Sequence, residues 1–310
     1  MKPQVLPPNV LRHFYAGGAR IAAFRGLELA SDHMPEEWIG AVNTTFDGTR
    51  GLSRFEDGTL VRDAIAADPE AYLGAGERSN PGLLAKLLDA GQRLPVHFHP
   101  GREFAREALD SPYGKTEAWL IVEAEPDARV WVGWKRAVSL DGVRAWMREQ
   151  DAAAMLAAMH ELPVAAGDAV YVPAGTIHAI GAGILMVELQ EPTDFSVSLE
   201  WEGFELGEDD CHLNLGWERA LEALDRSVAE PPRTTLPPEA DAFFRAEWLE
   251  GDAPLDAGFS ILVGLDGAGT LAYESGELPF ARGTAVLVPH AAGRGELRGG
   301  VRALRARPAR

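Results

Sequence analysis

The 310-residue chain contains one cysteine, Cys211. That excludes an intrachain disulfide and a structural zinc held by thiolates. No apolar run approaches the ~18 residues that a membrane-spanning helix needs. Positive charge is scarce: 29 Lys and Arg stand against 47 Asp and Glu, a formal net charge of −18. This deficit argues against binding the phosphates of nucleic acids and against docking on anionic membranes. It leaves room for a small anionic substrate, which needs only a local positive pocket. The opening residues, MKPQVLPPNVLRHF, hold no apolar stretch like that of a signal peptide. A reducing cytoplasm is the expected compartment. What remains is ordinary globular composition, 46% apolar and 25% charged. At ~150 residues per domain the length allows two domains or one large one.

Short apolar runs between Gly and Asp fill the first ninety residues. Residues 60–76 and 81–90 read as helical at one end and strand-like at the other. From Leu94 onward the runs VHFH, EAWLIVEA, ARVWVGW, DAVYVPAG, GILMVELQ and DFSVSLEW follow at short intervals. That spacing predicts an all-β barrel or sandwich rather than a parallel α/β sheet. A helical interlude is expected over 141–161, with Trp146, Met147, Met155, Leu156 and Met159 on one buried face. Residues 200–211 carry six acidic groups and no basic one, which reads as a solvated face. One amphipathic helix is expected over 214–227. The stretch AEPPRTTLPPEA, 229–240, holds four prolines and reads as a linker. The tail from Asp241 is β-like again. Gly167 to Pro173 and Gly283 to Pro289 share the form G-[DT]-A-V-x-V-P, a hint that one small barrel occurs twice.

His97 and His99 form H-x-H; on a strand both imidazoles point to one face and can chelate one divalent ion. Such a pair alone is more often two surface histidines. Gly167 to His178 fits G-x5-P-x-G-x2-H, with Pro173 and Gly175 bending the chain so that His178 turns inward. The two pieces together resemble the two-part signature of the cupin barrel. That barrel usually adds a carboxylate ligand, and Glu117, opening the next strand, is the candidate. Residues 100–114 are then an inserted helical excursion. Three imidazoles and a carboxylate suit zinc, or manganese, iron or nickel, one ion per chain, with positions left open.

Longer stretches are similar to the class I phosphomannose isomerases in their short bacterial form. Gly114-Lys115-Thr116-Glu117-Ala118-Trp119 matches G-K-T-E-x-W, and PAGTIHAIG, 173–181, matches P-A-G-T-[IV]-H-A-[IL]-G. Glu188-Leu189-Gln190 matches the following E-[IL]-Q. Weaker likenesses lie at Tyr15-Ala16-Gly17-Gly18, at Pro35-Glu36-Glu37-Trp38 and from Leu83 to His99. The resemblance implies a mainly β fold: a metal-binding cupin jelly-roll over 1–228 with helical insertions, the linker 229–240, and a degenerate second cupin barrel over 241–310. It implies a zinc-dependent aldose–ketose isomerase acting on mannose 6-phosphate or a related sugar phosphate through a cis-enediol. Its metal ligands fall on His97, His99, Glu117 and His178. Its catalytic positions fall on Glu188 as general base, Lys115 and Lys86. His97 stands where the family usually has Gln, and Ser198 where it has a catalytic arginine; Arg25, Arg102, Arg106 or a tail arginine would have to compensate. The serine keeps an unphosphorylated sugar open as substrate. A cupin iron oxygenase and a non-catalytic sugar-binding cupin are the alternatives. In the second barrel His290 follows Pro289 directly and no H-x-H precedes it in 241–282, so no second metal is expected. The arginines at 294, 298, 302, 305, 307 and 310 read as a solvated or partly disordered end. Trp119, Trp131, Trp134 and Trp201 read as core.

Overall fold

Leu84–Ala90 has the sequence LAKLLDA, too apolar for a strand with one wet face, and every residue in it is buried. In the computed structural model, which describes residues 1–76 and 79–310, this strand lies inside a six-stranded antiparallel sheet. The order is Val10–Leu11, Glu36–Ile39, Leu84–Ala90, Ile184–Gln190, Glu117–Ala124, Ala169–Val172. Leu88, Trp119, Ile121 and Met186 face a second sheet and share a core with its Val130, Val132 and Ile180. That second sheet has the order Val197–Ser198, His97–Phe98, His178–Ile180, Arg129–Trp134, Met159–Pro163. The alternate residues Leu87, Leu120 and Val187 point the other way, onto Ile261, Val263, Leu287 and Leu304 of the C-terminal sheet. A strand covered on both sides reads as continuously apolar.

The C-terminal sheet is built on two 14-residue strands, Ser260–Tyr273 and Gly295–Pro308, paired to each other. Its edge strand on one side comes from the far end of the chain: Gln4–Val5 pairs with Ala285–Val288. The two copies of G-[DT]-A-V-x-V-P adopt one form, a glycine with positive φ leading into a short strand, Ala169–Val172 and Ala285–Val288. We retain the division 1–228, 229–240 and 241–310 as our proposal for the domain plan. No helix among the described residues is long and apolar enough to cross a membrane.

Several expectations are corrected. Residues 60–76 form two short helices, Val61–Ala67 and Pro69–Leu73, and no strand; Asp68 accepts from Ala71 N at 3.1 Å and Pro69 opens the second helix, which separates the two. The interlude after Asp141 is also divided, into Leu140–Glu149 and Ala152–Ala158, by Gln150 at φ 50. The helix expected over 214–227 is a four-residue turn, Trp217–Ala220, running into a 3₁₀ turn. Leu213, Asn214 and Gly216 all take positive φ, which a helix cannot contain. Within the acidic stretch Glu200 is buried, held by Arg93 and by the Val96 amide at 2.9 Å. The arginine-rich tail is the strand Gly295–Pro308, and Arg305 and Arg307 are buried. Asp256 and Glu247 neutralise them, at 2.6 and 3.3 Å from Arg305 and 2.9 and 3.1 Å from Arg307. The four tryptophans are core as expected: Trp119 and Trp134 are fully buried, and Trp131 and Trp201 are partly buried and pack against the core, Trp201 also stacking on Trp217 at 5.8 Å.

Arg25 ties the barrels together. Its Nε lies 3.0 Å from the buried Glu37, and its guanidinium donates to the carbonyls of Leu6 and Gly283. Burial pushes the Glu37 carboxyl up to about 7, against the pull of Arg25. A carboxyl raised in the folded state weakens stability as pH rises from about 4.5 to about 7. Arg25→Ala should therefore cost about 3 kcal/mol of unfolding free energy at pH 8, where Glu37 is left buried and charged. At pH 5, where Glu37 is protonated, the cost should be smaller. Urea unfolding at both pH values checks this; equal losses would contradict it.

Candidate metal centre and active-site cavity

The ladders place the histidines together. His178 is paired directly across from His97, and His97 is paired on its other side with Ser198. Gly175, with φ 84, makes the turn that brings His178 onto this strand. His99 lies two residues beyond His97 on the same face, and the ligand atoms of His97, His99 and His178 all fall within 4.8 Å of one another. All three rings are buried.

Their tautomers are fixed by the main chain. Nδ1 of His97 donates to Pro95 O at 2.8 Å, Nδ1 of His99 to Phe195 O at 2.7 Å, and Nδ1 of His178 to Thr176 O at 2.8 Å. A carbonyl has no proton to give, so the proton sits on each Nδ1 and the lone pair on each Nε2. His97 Nε2 and His178 Nε2 are 2.9 Å apart. Glu117 Oε2 lies 3.1 Å from His99 Nε2, and its Oε1 lies 3.5 Å from His178 Nε2. Burial also holds the imidazoles neutral: it pushes His99 and His178 down to about 3 and His97 well below its usual range. Protons therefore do not relieve these facing lone pairs. The Lys115 ammonium answers two of them, 2.9 Å from His99 Nε2 and 3.0 Å from Glu117 Oε2. Among the described residues no donor answers the His97–His178 pair. Three inward Nε2 atoms, each backed by a carbonyl on the opposite nitrogen, with a carboxylate beside them, fit a divalent ion.

A second charged group lies beside the first. Across the sheet Glu188 is flanked by Lys86 on one strand and Trp119 on the other. Lys86 Nζ is 3.3 Å from Glu188 Oε2 and 3.1 Å from Glu36 Oε2, above the Trp38 ring. Glu36 also accepts from Tyr15 Oη and Trp38 Nε1, each at 2.8 Å, and faces His13 Nε2 at 3.3 Å. Burial works against its charge, but His13 and Lys86 outweigh it and hold the Glu36 carboxyl well below its usual range. Glu188 goes the other way. Burial, then the charge of Glu117, push it up to about 7 against the pull of Lys86. Two carboxylates within reach of one lysine thus differ in proton affinity.

Both groups open on one cavity of about 410 Å³. Its walls include His97, Lys86, Lys115, Glu188, Glu36 and Ser198, all of them buried. All seven expected site residues are therefore gathered: His97, His99, Glu117 and His178 around one point, and Glu188, Lys86 and Lys115 beside it. Sequence reasoning missed His13, Tyr15 and Glu36 as site residues. The signal was there in Pro35-Glu36-Glu37-Trp38, which supplies both the carboxylate and the ring beneath Lys86. It also missed Arg50, which lines the cavity mouth, and Asn214, carried to the wall by the left-handed Leu213 and Asn214. Of the arginines expected to compensate for Ser198, Arg25 is spent on Glu37 and Arg102 on Glu191, and neither lines the cavity.

No family model matches the chain. It is 32% identical over 181 residues to a mannose-6-phosphate isomerase of Streptococcus mutans, across 57% of this chain, and it spans 54% of the length of that relative. It is 29% identical over 300 residues to mannose-6-phosphate isomerase ManA of Bacillus subtilis, covering 91% of this chain and 92% of that one. Among solved structures, the mannose 6-phosphate isomerase of Bacillus subtilis superposes with a TM-score of 0.82 at 21% identity, covering 99% of each chain. A mannose 6-phosphate isomerase bound with zinc and yttrium superposes at 0.76 with 14% identity, covering all of both chains. These likenesses support the mainly β cupin fold.

If the imidazole cluster takes an ion, zinc at ~1,000-fold over its dissociation constant should add about 4 kcal/mol of stability. Scanning calorimetry with zinc and then with excess chelator should show the melting temperature rise and return. His178→Ala should melt at one temperature in both conditions. A wild-type melt that zinc leaves in place would sink the site.

Proposed function

We propose that this chain, a member of the class I, cupin-type mannose-6-phosphate isomerase family, interconverts mannose 6-phosphate and fructose 6-phosphate, or a closely related pair of sugar phosphates. Its place of action in this reading is the cytoplasm. The observation that carries the proposal is the sharing of one cavity by a metal-type donor set and a carboxylate pushed up to about 7.

His97, His99, Glu117 and His178 would hold the ion, zinc first and manganese, iron or nickel as further ions the donors suit. A bound divalent ion supplies Lewis-acid polarisation of the oxygens on C1 and C2. The chain's own groups handle the protons. In the aldose, Glu188 as carboxylate takes the proton from C2; the C–H electron pair becomes the C1–C2 double bond, and the C1 carbonyl oxygen takes a proton from the Lys115 ammonium, giving the cis-enediol. Protonated Glu188 then returns its proton to C1 while the hydroxyl on C2 gives its own back to Lys115 and becomes the ketone. Nothing is gained or lost overall. Lys86, paired to Glu188 and Glu36, fixes the carboxylate and supplies positive potential. Lys115 places its ammonium where charge develops on the two oxygens. A base whose proton affinity lies near neutrality suits this two-way transfer. Among the described residues, Arg50, at the mouth, is the cation lining the cavity that is not held close to a buried carboxylate. In this reading it faces the phosphate, and Ser198 takes no charged role.

Glu188→Gln should lower kcat by about 10³ with KM little changed, and it should melt like the wild type. In heavy water the wild type should place deuterium at C1 of fructose 6-phosphate, and the variant should not. The wild-type rate should fall as the pH drops below about 7, because Glu188 must be ionised to start the aldose reaction. Chelator should abolish turnover and zinc should restore it. Full turnover by Glu188→Gln would overturn the assignment.

A further inference from the structure

A second cavity, of about 560 Å³, lies where the two barrels meet. Among the described residues its lining carries three arginines, Arg102, Arg106 and Arg310, and no carboxylate side chain. In a chain of net charge −18 this is a local concentration of the minority sign. The three guanidiniums come from both barrels. Arg102 and Arg106 are four residues apart on the helix Arg102–Ala108, hence on one face. Arg102 lies over the Phe243 ring at 4.5 Å and reaches Ala242 O at 3.4 Å, so the helix is fastened to the second barrel. Arg310 arrives from the end of the chain, with Nε 3.2 Å from Asp241 and its amide bonded to Asp241 O. The Arg106 side chain has no ion pair or hydrogen bond among the described residues.

We propose that this groove binds a phosphate-bearing small molecule, and that the bound group acts on the isomerase site. A planar guanidinium fork matches phosphate oxygens in pairs, and three forks from two directions define a polyanion seat. The connection to the metal centre is short. Arg102 Nε bonds the fully buried Glu191 at 2.5 Å, and the other oxygen of Glu191 accepts the Thr116 amide at 3.0 Å. Thr116 stands between Lys115 and Glu117. An anion that draws Arg102 outward loosens its hold on the Glu191 carboxylate, one of the groups that hold the backbone between those two residues. The catalytic cavity and this groove share no lining residue, so the two sites are separate. The binding half of the proposal stands without the isomerase reading; the coupling half rests on it.

Calorimetric titration of the full chain with pyrophosphate should reveal binding that the double variant Arg106→Ala, Arg310→Ala weakens at least tenfold. That variant touches nothing in the catalytic cavity, so its turnover without pyrophosphate should match the wild type. In the wild type pyrophosphate should change KM or kcat in a manner not competitive with the sugar phosphate, and the double variant should lose that response. Glu191→Gln should keep the binding and lose the response. Absence of pyrophosphate binding, or binding of equal strength in the double variant, would overturn the site. Purely competitive inhibition that persists in the double variant would place the anion in the catalytic cavity and overturn the proposal as well. Failure of the isomerase reading is a separate result: no turnover of any sugar phosphate, whatever pyrophosphate does.

Discussion

Three imidazole lone pairs turned toward one another are the constraint around which the first barrel is organised. Left alone, they repel. They persist because each ring is pinned from behind by a main-chain carbonyl, from Pro95, Phe195 and Thr176. Those carbonyls are where they are because His97, His178 and Ser198 are ladder neighbours. A slip of one residue in either ladder would turn an imidazole to the opposite face of its sheet. The strand pairing therefore carries the geometry of the chemistry, and the apolar residues of both sheets hold the pairing.

The six-stranded sheet shows how charge is carried through a buried layer. Lys86, Glu188 and Glu117 lie on its inner face among Leu88, Trp119 and Met186. Each is desolvated, which costs several kcal/mol per ion unless answered. The answer is mutual: Lys86 serves Glu188 and Glu36, Lys115 serves Glu117, and the Trp38 and Trp119 indoles donate to Glu36 and Glu117. The tryptophans of the two motifs, Glu36-Glu37-Trp38 and Glu117-Ala118-Trp119, thus have the same task. In each, a carboxylate and the indole two residues later lie on one face of a strand, and the ring both fills core and supplies a hydrogen bond. The C-terminal barrel closes the other face of this sheet and so keeps it dry.

Much of this was legible in the chain itself. H-x-H and G-x5-P-x-G-x2-H carry their own geometry, because strand periodicity and a glycine turn dictate where the rings point. Glu117, Lys115 and Glu188 followed from dense local matches. Glu36 stands in one of the weaker matches, but its part in the site depends on a cross-sheet register, Glu36 to Leu88 and Trp38 to Lys86, that local sequence does not display. The tail misled for a related reason. Alternating arginines look solvated until their partners are known, and Asp256 and Glu247 lie some fifty to sixty residues away. The helix expected over 214–227 failed where amphipathic spacing met the left-handed Asn214 and Gly216, two residue types that adopt that backbone readily.

The edge strand Gln4–Val5 belongs to the sheet made from the last seventy residues, not to the barrel that follows it in the chain. Its partner, Ala285–Val288, lies about 280 residues further along the chain. During synthesis Gln4–Val5 must therefore wait, unpaired, while the strands of the first barrel are made between. Closing a loop of that span is entropically slow. The C-terminal sheet is in this sense a seal: its edge is completed only when two segments from opposite sides of the first barrel meet across it.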